Sequence, residues 1–144
     1  NWCKGKLKIR GKREDIIHFI KNGLLPLNNE IKEDYGNGYL HIYYDDTCYI
    51  KNTYRGFIPH LDVYLSEDNH TDPFIIVLDS EFAWKIKADQ LLDICKNYHV
   101  DMKIYAYEKG MEFNQHIEIV DGKIIHDDII KFDDYTWECP DPSK

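Results

Sequence analysis

The 144-residue chain lacks any apolar run approaching the ~20 residues that a bilayer-spanning helix needs. It opens on Asn1-Trp2-Cys3-Lys4 without an apolar leader, so no secretory or membrane-anchored form is expected. Serine is rare: Ser66, Ser80 and Ser143 are the whole set, and none sits in a Gly-x-Ser-x-Gly elbow, which removes the hydrolase nucleophile that this motif presents. Glycine-rich phosphate loops are missing too, because Gly36-Asn37-Gly38 has neither the lysine nor the following helix that a P-loop requires. The four cysteines, Cys3, Cys48, Cys95 and Cys139, make no CxxC pair, so zinc-ribbon spacing is absent. Scattered in this way, they read as free thiols of a reducing cytoplasm.

What the chain has in excess is negative charge and tyrosine. Its 26 acidic and 18 basic side chains leave a formal charge of −8, and it carries 11 tyrosines. Each phosphate contact needs a cation, and a net negative field repels the polymer, so this balance disfavours wrapping a nucleic acid. It suits docking on a host protein, or a protein–nucleic-acid complex, with a basic surface. Hydrophobic residues at 43% and charged residues at 31% are ordinary for one globular domain, and a chain this long buries roughly two thirds of its unfolded surface without staples. Scarce arginine beside abundant Lys, Ile, Asn, Asp and Tyr is the bias of AT-rich coding, which points to a low-GC bacterium or its phage and to the cytoplasm of a bacterial cell.

Along the chain, Lys4 to Arg10 alternates strictly. Gly5, Leu7 and Ile9 face one way, and Lys4, Lys6, Lys8 and Arg10 face the other, as in a half-buried strand. Arg13 to Asn22 has a helical apolar face of Ile16, Ile17, Phe19 and Ile20, with Gly23 as its stop. Leu24 to Gly38 reads as irregular. Tyr39–Tyr44 and Thr47–Asn52, separated by Asp45-Asp46, read as a hairpin. A strand is expected from Phe57 to Leu65, weakened near Pro59, then a polar loop from Ser66 to Pro73 and a continuous apolar strand from Phe74 to Asp79. Ala88 to Tyr98 is a second helix, with Leu91, Leu92, Ile94 and Cys95 inward. Strands follow at Met102–Glu108 and Gln115–Val120, then the Asp121-Gly122 turn and a short strand or helix over Lys123–Ile130. The order predicts an α+β, ferredoxin-like βαββαβ sandwich over residues 1–132, with an inserted β-hairpin near 24–54, an extra C-terminal strand, and a loose tail over 133–144.

The opening Asn1-Trp2-Cys3-x-Gly5-x-Leu7-x-Ile9-x-Gly11, the Phe82-Ala83-Trp84 group before the second helix, the Tyr105-Ala106-Tyr107-Glu108-Lys109-Gly110-Met111-Glu112-Phe113 segment after it and the Asp121-Gly122 turn resemble the YubB-type ferredoxin-like domain proteins of plasmids, phages and bacterial chromosomes. The middle departs from that pattern: Arg55-Gly56-Phe57 keeps only a glycine and an aromatic of a Gly-Thr-Lys-Trp-like segment, and Lys85-Ile86-Lys87 replaces the usual prolines. The resemblance implies the fold and a mobile-element origin, and it supplies no catalytic residues.

Four groups of residues invite a functional reading. His60-x-Asp62, His70-x-Asp72 and His126-Asp127-Asp128 are metal-like pairs, but nothing in the spacing brings them to one point, so no metal, cofactor or catalytic constellation is expected. The acidic pairs Asp45-Asp46 and Asp127-Asp128, with Tyr43, Tyr44 and Tyr49 as anchors, suit a nucleic-acid-mimicking surface for a basic partner, such as a host nucleic-acid-handling or defence complex that the chain would inhibit. The basic strand face of Lys6, Lys8 and Arg10, with Lys103, Tyr105 and Tyr107 in phase on another strand, is the alternative: a single-stranded nucleic-acid site. Against it, Asp79, Glu81 and Glu118 stand where cross-strand pairing would neutralise the cations.

Overall fold

The computed structural model describes residues 1–67 and 73–140. Among them, β1 (Trp2–Gly11) is followed by α1 (Arg13–Gly23), β2 (Leu24–Pro26), β3 (Lys32–Gly36), β4 (Tyr39–Tyr44), β5 (Cys48–Ile50), β6 (Gly56–Ile58), β7 (Leu61–Ser66) and β8 (Phe74–Ala83). Then come α2 (Ala88–Tyr98), β9 (Asp101–Glu108), β10 (Phe113–Val120), β11 (Lys123–Lys131) and α3 (Tyr135–Glu138). Eight strands form one antiparallel sheet in the order β11-β10-β9-β1-β8-β6-β5-β2, and three form a second, β3-β4-β7.

This architecture corrects the ferredoxin-like expectation. A βαββαβ sandwich has a four-stranded sheet, whereas here an eight-stranded sheet is accompanied by a separate sheet of three. The difference arises between residues 24 and 67, where the expected hairpin does not form. Asp45-Asp46-Thr47 contains no glycine to adopt the positive φ of a tight hairpin turn. Instead the Asp46 carboxylate accepts from the Thr47 backbone N–H at 2.7 Å and from the Asn28 amide at 2.8 Å. The chain crosses there from one sheet to the other: β4 pairs with β3 and β7, while β5 pairs with β2 and β6. Pro59 does the same between β6 and β7, since proline cannot donate to a ladder; the single strand expected from Phe57 to Leu65 is two strands in two sheets.

The helices form where the apolar spacing dictates. Ile16, Phe19, Ile20 and Gly23 are buried on α1, and Glu14 and Asp15 in its first turn oppose Lys21 in its last. On α2 the buried set is Ala88, Leu91, Ile94 and Cys95, and the helix ends with His99 in the left-handed region at φ 57°. The Phe19 and Tyr98 rings meet edge-to-face at 5.5 Å. Leu7, Ile9, Phe19, Ile94 and Ile104 lie in one apolar cluster, which the inward residues of the small sheet, Leu40, Ile42, Leu61 and Leu65, also join. Arg13 ties α1 to the small sheet by donating from Nε to the Ser66 carbonyl at 3.0 Å, and Lys21 does so through Glu33 at 2.9 Å.

The segment after β11 is not loose over its described part. Asp134 caps α3 by accepting from the Trp137 N–H at 3.2 Å, and the Tyr135 hydroxyl donates to Asn114 Oδ1 at 2.6 Å from a buried position. At one end of the sheet Cys3 lies opposite Phe82 and Trp2 opposite Ala83, while the Trp84 N–H donates to the Asn1 carbonyl at 2.8 Å. Gln115 is buried there, accepting from the Ile86 N–H at 2.7 Å and donating to its carbonyl at 3.0 Å.

Gly5 sets how closely β1 and β9 approach: a Cβ at that position would stand 2.5 Å from the Tyr105 carbonyl oxygen and 3.0 Å from Ala106 Cα. Both are backbone atoms that cannot swing away. Gly5→Ala should therefore destabilise the chain by about 1–3 kcal/mol, read as a lower urea midpoint at unchanged m-value.

Candidate binding face

Strand alternation puts Leu7 and Ile9 under the helices and Lys4, Lys6, Lys8 and Arg10 on the opposite, open face of the large sheet. Register then decides what each cation meets. Lys4 is flanked by Glu81 and Tyr107, Lys6 by Asp79 and Tyr105, Lys8 by Val77 and Lys103, and Arg10 by Ile75 and Asp101. One strand further, Lys103 lies opposite Glu118. Lys6 is ion-paired with Asp79, and Arg10 donates to Asp101 Oδ2 from Nε at 2.9 Å and from its terminal nitrogen at 2.8 Å. Lys4–Glu81 at 3.9 Å and Lys103–Glu118 at 3.7 Å are looser. Neutralisation by cross-strand carboxylates is thus the arrangement found; Lys8 is the position whose flanking residues on both sides carry no carboxylate.

Aromatic and aliphatic side chains surround these pairs. Tyr105 and Tyr107 meet edge-to-face at 5.3 Å, and Trp2 meets Phe57 at 6.0 Å, with the Arg55 guanidinium 5.4 Å above the indole. Tyr49 continues the row toward β5, 5.9 Å from Phe57. Ile75 and Val77 project from β8 with 60% and 50% of their surface in water. A hollow of about 620 Å³ opens among Lys4, Lys6, Lys8, Lys103, Tyr105 and Tyr107, with Pro59 at its edge. Near Tyr105 the sheet is partly covered by the C-terminal segment, where Asn114 donates to the Tyr105 hydroxyl at 3.2 Å and accepts from Tyr135.

Lys6, Lys8, Arg10, Lys103, Tyr105 and Tyr107 are therefore brought together. The acidic set is not. Asp45 and Asp46 occupy the crossing before β5, six strand positions from β11, on the order of 29 Å at the usual strand spacing. Asp127 lies opposite core-facing Ile117 and Asp128 opposite His116, so the two point to opposite sides of β11. Tyr44 is buried, its hydroxyl accepting from the Asn28 N–H at 3.0 Å, which disqualifies it as a surface anchor. Tyr43 is on the outer face of the small sheet, donating to Asp34 at 2.9 Å; that bond, the largest of the causes, raises its pKa. His41 stacks there between Tyr43 and Tyr64 and takes Asp62 as partner, so the His60-x-Asp62 pair is not a unit. His70-x-Asp72 lies outside the described residues.

Several contributors escaped the sequence reading. Trp2 continues the period-two phase of the Lys4–Arg10 stripe and could have been included. Ile75 and Val77 were hidden in a run whose continuous apolarity implied burial on both faces. His116 has no local signal; only the β10–β11 register brings it beside His126 and Asp128.

Three of the four thiols, Cys3, Cys48 and Cys95, are buried and stay protonated near neutral pH. Burial pushes Cys3 and Cys95 up to about 12 and Cys48 up to about 11. Cys139 is the half-buried exception, within 3.4 Å of the Asn114 amide. In native protein a thiol reagent at pH 8 should modify Cys139 first and reach the other three only on unfolding, as mass mapping would show. These raised values also favour the fold below the unfolded thiol pKa of about 9. That contribution is lost as pH rises toward 11–12, so denaturation midpoints should fall through this window and fall less in a Cys3→Ser/Cys95→Ser background.

Removing the neutralising carboxylates should unmask the stripe. An Asp79→Asn/Glu81→Gln variant is expected to bind single-stranded oligonucleotides more tightly than the parent, with a log–log salt slope steeper by about 0.7 for each lysine freed. Anisotropy titrations at two salt concentrations measure it, and an unchanged slope would mean that these carboxylates do not hold Lys4 and Lys6. No helix among the described residues is long and apolar enough to cross a membrane. Comparison with protein-family models, with curated proteins and with solved structures returns no match, which leaves the functional reading to the geometry of this face.

Proposed function

We propose that the chain is a non-enzymatic binding protein that docks a partner protein on the open face of its large sheet. The observation that carries this reading is the composition of that face: a central ladder of mutually neutralised charges, flanked by Trp2, Phe57, Tyr105 and Tyr107 and by exposed Ile75 and Val77. Charge depleted by pairing at the centre, with aromatic anchors beside it, is the make-up of a protein interface rather than of a phosphate-binding one. The net charge of −8 favours a basic partner through long-range steering. An inhibitor of a host nucleic-acid-handling or defence complex, carried by a phage or other mobile element, is the form of this proposal that agrees with the coding bias and the YubB-type resemblance. Charge mimicry by Asp45-Asp46 together with Asp127-Asp128 is no part of it, since those residues do not converge.

Single-strand binding is the second reading, and one observation favours it: Lys8, flanked by Val77 and Lys103, lines a hollow beside Tyr105 and Tyr107. Two measurements separate the readings. Under the first, labelled single-stranded RNA and DNA show no sub-micromolar binding at physiological salt. A partner retained from host lysate by the parent chain is then lost with Ile75→Asp/Val77→Asp. Under the second, sub-micromolar, salt-sensitive oligonucleotide binding appears and is weakened by Lys8→Ala, whose side chain contributes a phosphate contact.

A further inference from the structure

At the β11 end of the same face, His116 stands directly opposite Asp128, and His126, two residues along β11, stands opposite Glu118. Directly opposed and diagonal neighbours of an antiparallel pair are near enough for long side chains to converge. Here they do. The two imidazole rings stack at 4.7 Å with 26° between their planes. Both turn Nδ1 toward one atom, Oδ2 of Asp128, at 3.8 Å from His116 and 3.5 Å from His126. The three ligand-capable atoms all lie within 4.8 Å of one another.

These separations exceed hydrogen-bond lengths, so the carboxylate is not simply bonded to either ring. They are close to what a shared ion requires. A metal ~2.0–2.1 Å from each nitrogen and ~2.0–2.2 Å from the oxygen sets its ligand atoms about 3.0–3.4 Å apart. Side-chain rotation can close the remaining gap without moving backbone. The scaffold is fixed, because β10 is paired along its length to β9 and β11. A register shift between Glu118 and Ile119 sits beside His126, the kind of irregularity that re-aims side chains.

We infer that His116, His126 and Asp128 form a binding site for a divalent transition-metal ion at the rim of the open face. Two imidazoles and one carboxylate select zinc, cobalt, nickel or copper over magnesium and calcium, which prefer all-oxygen shells. Three protein ligands leave at least one position for water or for a donor from outside the chain; the cross-strand neighbour of His126, Glu118, is held by Lys103 at 3.7 Å. Bound metal would also pin the edge strand β11 to β10. The site does not depend on the docking proposed above.

The test uses the full chain without an affinity tag. Cobalt(II) titration followed by visible absorption, and zinc(II) titration by calorimetry, should give one equivalent bound. His116→Ala, His126→Ala and Asp128→Asn should each weaken binding about tenfold or more. His41→Ala, on the small sheet, should leave it unchanged. Circular dichroism checks the fold of each variant; should His116→Ala fail to fold, the exposed pair His126 and Asp128 carries the test. No saturable binding, or binding that His126→Ala and Asp128→Asn leave intact, would overturn the assignment.

Discussion

β1 is hydrogen-bonded on both sides, its ten residues in register with β8 and seven of them also with β9. That double pairing constrains nearly everything else. It fixes a side-chain period of two, so an alternating sequence must send Leu7 and Ile9 into the core and every cation of the stripe to the other surface. A slip of one residue would bury four cations and expose the apolar set, which makes the register the best-determined feature of the sheet. It also requires Gly5 where β9 comes close, and it hands each cation a known neighbour on either side.

Local patterns were legible wherever the chain meets a local requirement. The α2 limits expected from apolar spacing, Ala88 to Tyr98, are those observed, and α1 runs one residue past its expected end. The stripe on β1 and the strands near 102–108 and 115–120 follow from alternation alone. Sheet membership did not follow, because it is a long-range property. Nothing in Tyr39–Tyr44 distinguishes pairing with the next strand from pairing with β3 and β7. The absence of a turn-forming glycine at Asp45-Asp46 was the available warning against a hairpin. Pro59 was a second, since it lies where one expected strand parts into two sheets.

The candidate face divides in the same way. The cations and their neutralisers, Asp79, Glu81 and Glu118, could be named from phase, because alternation predicts which residues share a surface. Asp101, which holds Arg10, went unnoticed since it falls at the edge of its strand. The His116–His126–Asp128 cluster needed the inter-strand register, which no period within one segment reveals. Acidic dipeptides misled for the opposite reason: adjacency in sequence suggested a shared surface, but strand alternation sends Asp127 and Asp128 to different sides.

If the chain docks as proposed above, its charges serve two separate electrostatic tasks. The excess of carboxylates lies outside the ladder, where it can attract a basic partner from a distance and bias its approach. Within the ladder, each carboxylate is spent on a cation of a neighbouring strand, so little net charge must be desolvated when a surface closes over it. Changes to outlying acids should then act mainly on association rate and its salt dependence. Changes among Trp2, Phe57, Ile75, Val77, Tyr105 and Tyr107 should act mainly on dissociation, because packing at the contact, and not the field, holds the complex once formed.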